Sequence, residues 1–160
     1  LTPDGRQAVT LPVASYDGRV NLWDLERGGE PRTLRLGGDV RAAVLTPDGR
    51  RLLASSRRVD PTSGLDGRLE VRDLDGGGPE RLLAQDEPMT RLAVSRDGRW
   101  LVCCSAGGAV EVWDLVALER VASFMADNAV TVCAVAALAD GVLVVAGDAG
   151  GEVHVLDLVN

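Results

Sequence analysis

Few side chains in this sequence are equipped for chemistry. His154 is the single histidine among 160 residues, so a Ser-His-Asp relay or a histidine-rich metal site lacks its parts. Its place between Val153 and Val155 marks it as a structural residue of a strand. Cys103, Cys104 and Cys133 lie inside apolar runs without metal-ligand spacing, which fits buried thiols. Asp24, Asp73, Asp114 and Asp157 fall at wide intervals and not in pairs, so they read as hydrogen-bond acceptors at strand ends. The Asp-Gly turns lack the alternating oxygens of a calcium loop, and the runs Gly28-Gly29, Gly76-Gly77-Gly78 and Gly107-Gly108 lack the lysine and helix that follow a phosphate-binding loop. No catalytic, cofactor-binding or metal-binding residue is expected, and an enzyme is the least favoured class.

The scaffold behind these residues is a repeat. Residues 110–115 (Val-Glu-Val-Trp-Asp-Leu) recur in pattern at 20–25, 69–74 and 153–158. The fourth position holds Trp23, Arg72, Trp113 and Leu156, at spacings of 49, 41 and 43 residues, and the fifth is always aspartate. A second marker, Leu-Thr-Pro-Asp-Gly at 1–5, returns at 45–49 and 94–98 and in degraded form at 137–141. A period in the low forties signals propeller blades.

Between the markers lie short apolar runs of alternating or β-branched character, which read as strands, joined by Asp-Gly turns whose glycine accepts a positive φ. The expected fold is therefore all-β: one partial propeller of about four four-stranded antiparallel blades over residues 1–36, 37–84, 85–124 and 125–160, the first and last each lacking a strand. No helix is expected, and residues 129–139 read as a strand buried on both faces. Trp113 is expected between blades and Trp100 nearer solvent. Residues 57–65 lengthen the second repeat by an insert that Pro61 and Gly64 mark as a loop.

With 46% hydrophobic and 26% charged residues, the composition suits a soluble globular protein. A net charge of −7, with every basic residue an arginine, argues against nucleic acid or an anionic membrane as partner. Three cysteines are too few for a secreted disulfide scaffold, which points to a reducing cytoplasm. The start at Leu-Thr-Pro-Asp-Gly, with no Met, reads as a piece of a longer chain.

On Trp23-Asp24, Trp113-Asp114 and the Ser/Thr-x-Asp-Gly turns, the chain resembles a run of WD repeats over nearly all its length. The family's better repeats join a tryptophan, a serine, a turn aspartate and a histidine of a Gly-His pair by hydrogen bonds. Here the serine position holds Val13, Cys103 or Ala146, Gly107 and Gly150 replace a turn aspartate kept at Asp17 and Asp66, and no Gly-His pair exists. The buried polar network is therefore expected to be absent. Residues 122–158 are similar to the last blade of the C-terminal WD arrays of bacterial STAND NTPases, the NLR-like and Apaf-like signalling ATPases. That resemblance implies a trigger-sensing or autoinhibitory segment in signalling or antiviral defence. Its contacts would be a protein trigger and other domains of its own chain, with assembly through that chain. The alternative is a general WD scaffold attached to a kinase or protease.

Recognition residues are expected on one edge, in the loops before the first strand and between the second and third of each blade. They are Tyr16, Asp39, Arg57, Arg58, Asp60, Asp86, Glu87, Asp127, Asn128 and Asp148, an aromatic, arginines and acids together.

Overall fold

A computed structural model describes residues 1–12, 17–60, 64–75, 81–85 and 87–159, without the side chains of 58–60, 64–66, 81, 82, 84 and 85. The described residues form strands and turns only, with 14 strands in four antiparallel sheets. They fall into two compact units, Leu1–Pro88 and Met89–Asn160.

In the first unit, β1 (Gln7–Thr10), β2 (Arg19–Asp24) and β3 (Arg32–Arg35) form a three-stranded meander. β4 (Asp39–Leu45), β5 (Arg51–Asp60), β6 (Gly64–Asp73) and β7 (Arg81–Gln85) form a four-stranded one. The second unit holds a four-stranded sheet, β8 (Met89–Val94), β9 (Trp100–Ser105), β10 (Ala109–Asp114) and β11 (Glu119–Met125). Beside it in sequence come β12 (Val130–Ala137), β13 (Gly141–Asp148) and β14 (Val153–Val159), a sheet of three. In every sheet, spatial order follows chain order, as short hairpin connections require.

The recurring Ser/Thr-x-Asp-Gly marker has a common physical cause. In the second repeat, Thr46 Oγ1 donates to Asp48 Oδ1 (2.5 Å) and accepts from the Arg51 amide (3.0 Å), while Asp48 accepts from the Arg50 amide (3.1 Å). Thr2 and Asp4 build the same turn ahead of β1, and Ser95 and Asp97 build it ahead of β9. The glycine that follows takes φ near 70° in all three: 73° at Gly5, 70° at Gly49 and 76° at Gly98. The degraded copy before β13 has no hydroxyl to play this part, and there Leu138 N bonds Gly141 O directly at 2.9 Å.

Packing is apolar within each unit. Val20, Leu36, Leu45, Leu52 and Ala54 form the core of the first. In the second, Trp100, Val102, Val110 and Val112 face Val130, Val142, Val144 and Ala146 in one cluster. Each such side chain, taken fully out of water, stabilises by roughly 1.5–3 kcal/mol. β9 and β10 are buried at every position, the pattern of strands covered on both faces.

Three expectations change. Trp100 is only 4% exposed, not near solvent. The Ser95 hydroxyl accepts its amide, fixing it as the first residue of β9 with its ring in the core and Arg99 stacked on it at 4.5 Å. β12 is covered on one face only: Cys133 and Val135 pack inward, while Val132 is 59% exposed. Residues 57–65 are not a bare loop. Arg57↔Gly67, Arg58↔Asp66, Val59↔Leu65 and Asp60↔Gly64 continue the β5–β6 ladder, and Pro61 lies outside the described residues. The Gly76–Gly78 turn lies outside the described residues.

Candidate partner-contact surface

The lengthened hairpin is the feature that the repeat does not explain. β4 ends its pairing with β5 at Asp39↔Arg57, and β7 ends its pairing with β6 at Gly67↔Gln85. Beyond those rungs, 58–60 and 64–66 pair only with each other among the described residues, as a two-stranded ribbon.

The root of this ribbon is held by close backbone approach. Gly38, at φ 91°, leaves space in which a Cβ would lie 2.7 Å from the Arg57 carbonyl oxygen, and a Cβ on Gly67 would meet the Glu87 backbone at 2.4 Å. Both positions require glycine. Charge reinforces the root. The Asp39 carboxylate, with a side chain 14% exposed, takes Arg57 Nη2 at 3.2 Å and Arg41 Nη1 at 3.5 Å. Asp39 and Arg57 thus meet across one rung, and Glu87 is half-buried beside it. Tyr16 and Asp86 lie outside the described residues, and Arg58 and Asp60 are placed by backbone alone, in the ribbon.

In the second unit, Asp127 and Asn128 are exposed in the β11–β12 connection. Asp148 is not a surface residue as expected, being 7% exposed at the end of β13. Its carboxylate accepts from the Glu152 amide (2.9 Å) and bonds His154 Nε2 (3.2 Å), and Asn128 Nδ2 approaches it at 3.5 Å. The Glu152 amide first, then His154, Asn128 and the Gly150 amide, hold its carboxyl below the usual range against the opposing effect of burial. His154 also lies against Phe124, ring centroids 5.1 Å apart.

A buried polar network therefore does exist, contrary to the expectation from the missing Gly-His pair. Asn128 stands in the connection before the first strand, and Asp148 and His154 flank the β13–β14 turn. The Asp-x-x-x-Glu-x-His spacing was its visible signal, because six positions across a tight turn return a side chain to the same place. Asp148, Glu152 and His154 bring one ligand atom each within 4.8 Å of one another, a spacing a divalent cation could use. The Asp148 carboxylate is already engaged by N–H donors, which makes this arrangement a turn-closing device.

The remaining markers divide. Asp114 Oδ1 accepts from the amides of Val116 (2.8 Å) and Ala117 (3.2 Å), Asp24 from those of Glu26 (3.1 Å) and Arg27 (2.9 Å), and Asp73 from that of Asp75 (3.0 Å). These three close the turns after β2, β6 and β10. Asp157 does not, since it lies inside β14 and is exposed. Trp23 Nε1 donates to Thr10 (2.9 Å), and Trp113 Nε1 donates to Glu111 Oε2 (3.0 Å). Glu111 is a buried acid that the sequence reading passed over; Arg120 meets its other oxygen at 2.7 Å. Glu70 and Arg72 repeat the pairing at 2.8 Å one repeat earlier, so an acid two positions before the Trp/Arg position was the clue.

A cleft of about 360 Å³ in the first unit is lined by Trp23, Arg27, Arg32, Asp24 and Asp75 among others. Its charges are locally matched: Arg27 lies 3.9 Å from Asp24, and Asp75 lies 3.4 Å from Arg50.

Comparison with known proteins agrees with this geometry. The WD40 family (WD domain, G-beta repeat) matches residues 80–114, from the β7 strand through β10. No curated protein matches the chain. Among solved structures, one titled "Structure of U3-55K" is similar at TM-score 0.74 and 18% identity, covering 99% of this chain and 47% of that one. Kuenenia stuttgartiensis hydrazine synthase is similar at TM-score 0.74 and 18% identity, over 99% of this chain and 57% of that one. The chain thus spans about half the length of each. At such identity the likeness establishes the fold, a segment of WD-type β-propeller blades whose first and last sheets each have three strands.

Proposed function

We propose that this chain is a non-catalytic, protein-binding segment of a propeller. Its role would be the C-terminal trigger-sensing or autoinhibitory part of a bacterial STAND-type signalling or defence protein in the cytoplasm. The observation that carries the binding role is the ribbon beyond Arg57 and Gly67. Blade closure does not require the extra rungs, and the added length costs little closure entropy. The ribbon's root is gripped at Gly38, Gly67 and the Asp39–Arg57 pair, and its partner would be a trigger protein or another domain of the parent chain. Asp39, Arg57 and Glu87 in the first unit, and separately Asp127 and Asn128 in the second, are the described contact candidates, and Tyr16, Arg58, Asp60 and Asp86 remain candidates from the sequence. WD40 repeats in general mediate protein–protein contact, which supports this reading.

The test is a full-length protein in which residues 58–66 are replaced by Asn-Gly, joining Arg57 to Gly67 through a tight turn. Thermal stability should stay within about 1 kcal/mol of the parent, while triggered signalling or resting autoinhibition is lost. A folded variant with unchanged signalling removes the ribbon from the contact. A full-length parent that neither binds nor hydrolyses ATP removes the STAND reading and leaves the general scaffold.

A further inference from the structure

The cysteines of the second unit are arranged for chemistry that the propeller does not need. Cys104, on β9, lies in the core with Trp100, Val102, Val110 and Val112 and is fully buried. Cys133, on β12, packs against that cluster from the facing sheet and is half-buried. β9 and β12 pack on one another, with Cα atoms of the two strands within 8 Å. Both side chains enter this one cluster, from strands of two sheets that face each other. Cys103 is the neighbour in sequence but projects from the opposite face of β9, away from the cluster.

We infer that Cys104 and Cys133 form a dithiol site, open at Cys133, that closes to an intramolecular disulfide on reaction with small disulfides. Cys133 is the attacking sulfur. It is the more accessible of the two, and two residues before it the Thr131 carbonyl holds the Arg91 guanidinium by Nε (3.0 Å), with Nη1 on the Thr90 carbonyl (2.8 Å). The Cys104 hydrogen bond first, and then the Arg91 charge, hold the Cys133 thiol below its usual range, while Cys104 is pushed up by the same hydrogen bond and by burial. One half-accessible sulfur beside a fully buried one is the asymmetry such a pair requires.

The electron count closes. The Cys133 thiolate attacks one sulfur of R–S–S–R, forming a mixed disulfide and releasing R–S⁻. With Cys133 capped and neutral, the main cause that kept the proton on Cys104 is gone. Cys104 then loses its proton to the released thiolate and attacks the Cys133 sulfur, expelling the second R–S⁻. Two protein thiols are oxidised and one small disulfide is reduced to two thiols. The product ties the β8–β11 sheet covalently to the β12–β14 sheet.

The test treats the native full chain with oxidised glutathione, quenches in acid and maps the products by intact mass and digest. The parent should lose two hydrogens from this site, carry no stable adduct there, give a peptide linking Cys104 to Cys133, and show a higher denaturant midpoint that dithiothreitol reverses. Cys104→Ala should trap glutathione on Cys133, and Cys103→Ala should behave as the parent. Three results overturn the inference: a stable adduct on Cys133 with Cys104 still open to alkylation, a disulfide containing Cys103, or an unreacted Cys133. The parent digest alone decides the matter should Cys104→Ala fail to fold.

Discussion

Truncating Trp113 to alanine tests the strand register on which the rest depends. The side chain is 6% exposed and projects from β10 on the face opposite Val110 and Val112, beside Glu111. Two losses are separable. Removing the buried ring costs about 3–5 kcal/mol, a large share of the roughly 5–15 kcal/mol that holds a domain folded. Trp113→Phe keeps a buried ring, though a smaller one, and takes away the N–H with its charge-assisted bond to Glu111. Such bonds contribute about 1.5–3 kcal/mol, and because Arg120 still meets the other carboxylate oxygen, the low end, near 1.5 kcal/mol, applies. Trp113→Ala should therefore exceed Trp113→Phe by up to about 3.5 kcal/mol. Urea unfolding of the full chain, followed by circular dichroism with the slope unchanged, reads both. If Trp113→Ala unfolds at the parent midpoint, the register is wrong; if Trp113→Phe is as damaging as Trp113→Ala, the polar bond and not ring burial dominates.

Two further outcomes follow from local geometry. Leu118 sits at φ 58° in the turn after β10, where the corresponding turn after β2 has Gly28 at 68°, so Leu118→Gly should raise stability by about 1 kcal/mol as left-handed strain is relieved, and a drop of that size in the denaturation midpoint would refute the strain. For Asp114, burial opposes ionisation, but the amides of Val116 and Ala117 and the Arg99 guanidinium outweigh it and hold its carboxyl below the ordinary 3.8. Its contribution is therefore complete above pH 3.8 and lost as pH falls through the lower folded value. The difference in unfolding free energy between parent and Asp114→Asn should shrink over that acid range and stay constant above it.

Much of the fold was legible because each repeat signs its own turns. The Thr2–Asp4, Thr46–Asp48 and Ser95–Asp97 pairs need a hydroxyl and a carboxylate at fixed offsets, and Asp24, Asp73 and Asp114 need only the amides that follow them. Local chemistry of that kind is written along the chain. What stayed hidden was set by neighbours in space. Trp100 follows a Gly-Arg turn and looks exposed, yet one hydrogen bond at its amide turns the ring inward. Asp148 sits in a glycine-rich turn and looks solvated, yet His154 and Asn128 close over it. Pro61 and Gly64 announce a loop over 57–65, whereas the ladder runs through Asp60↔Gly64.

These departures from the repeat are not scattered at random in their physical character. A repeat unit needs its hydroxyl-carboxylate turns, its apolar alternation and a short β5–β6-type hairpin, and wherever all three are kept the residues are explained by blade packing alone. The second repeat keeps the turns and the alternation but lengthens the hairpin, and it invests two glycines and an Asp39–Arg57 pair in gripping the root of that extension. The third repeat keeps its turns but puts a thiol in the core on β9, in the cluster against which a second thiol packs, with Arg91 tethered by two carbonyls in the same unit. Breaking a local rule while adding supporting contacts around the break is what a functional constraint, as opposed to drift, leaves in a structure. The ribbon and the dithiol are the two places where both signs coincide. They lie in different units, and so their tests can succeed or fail independently.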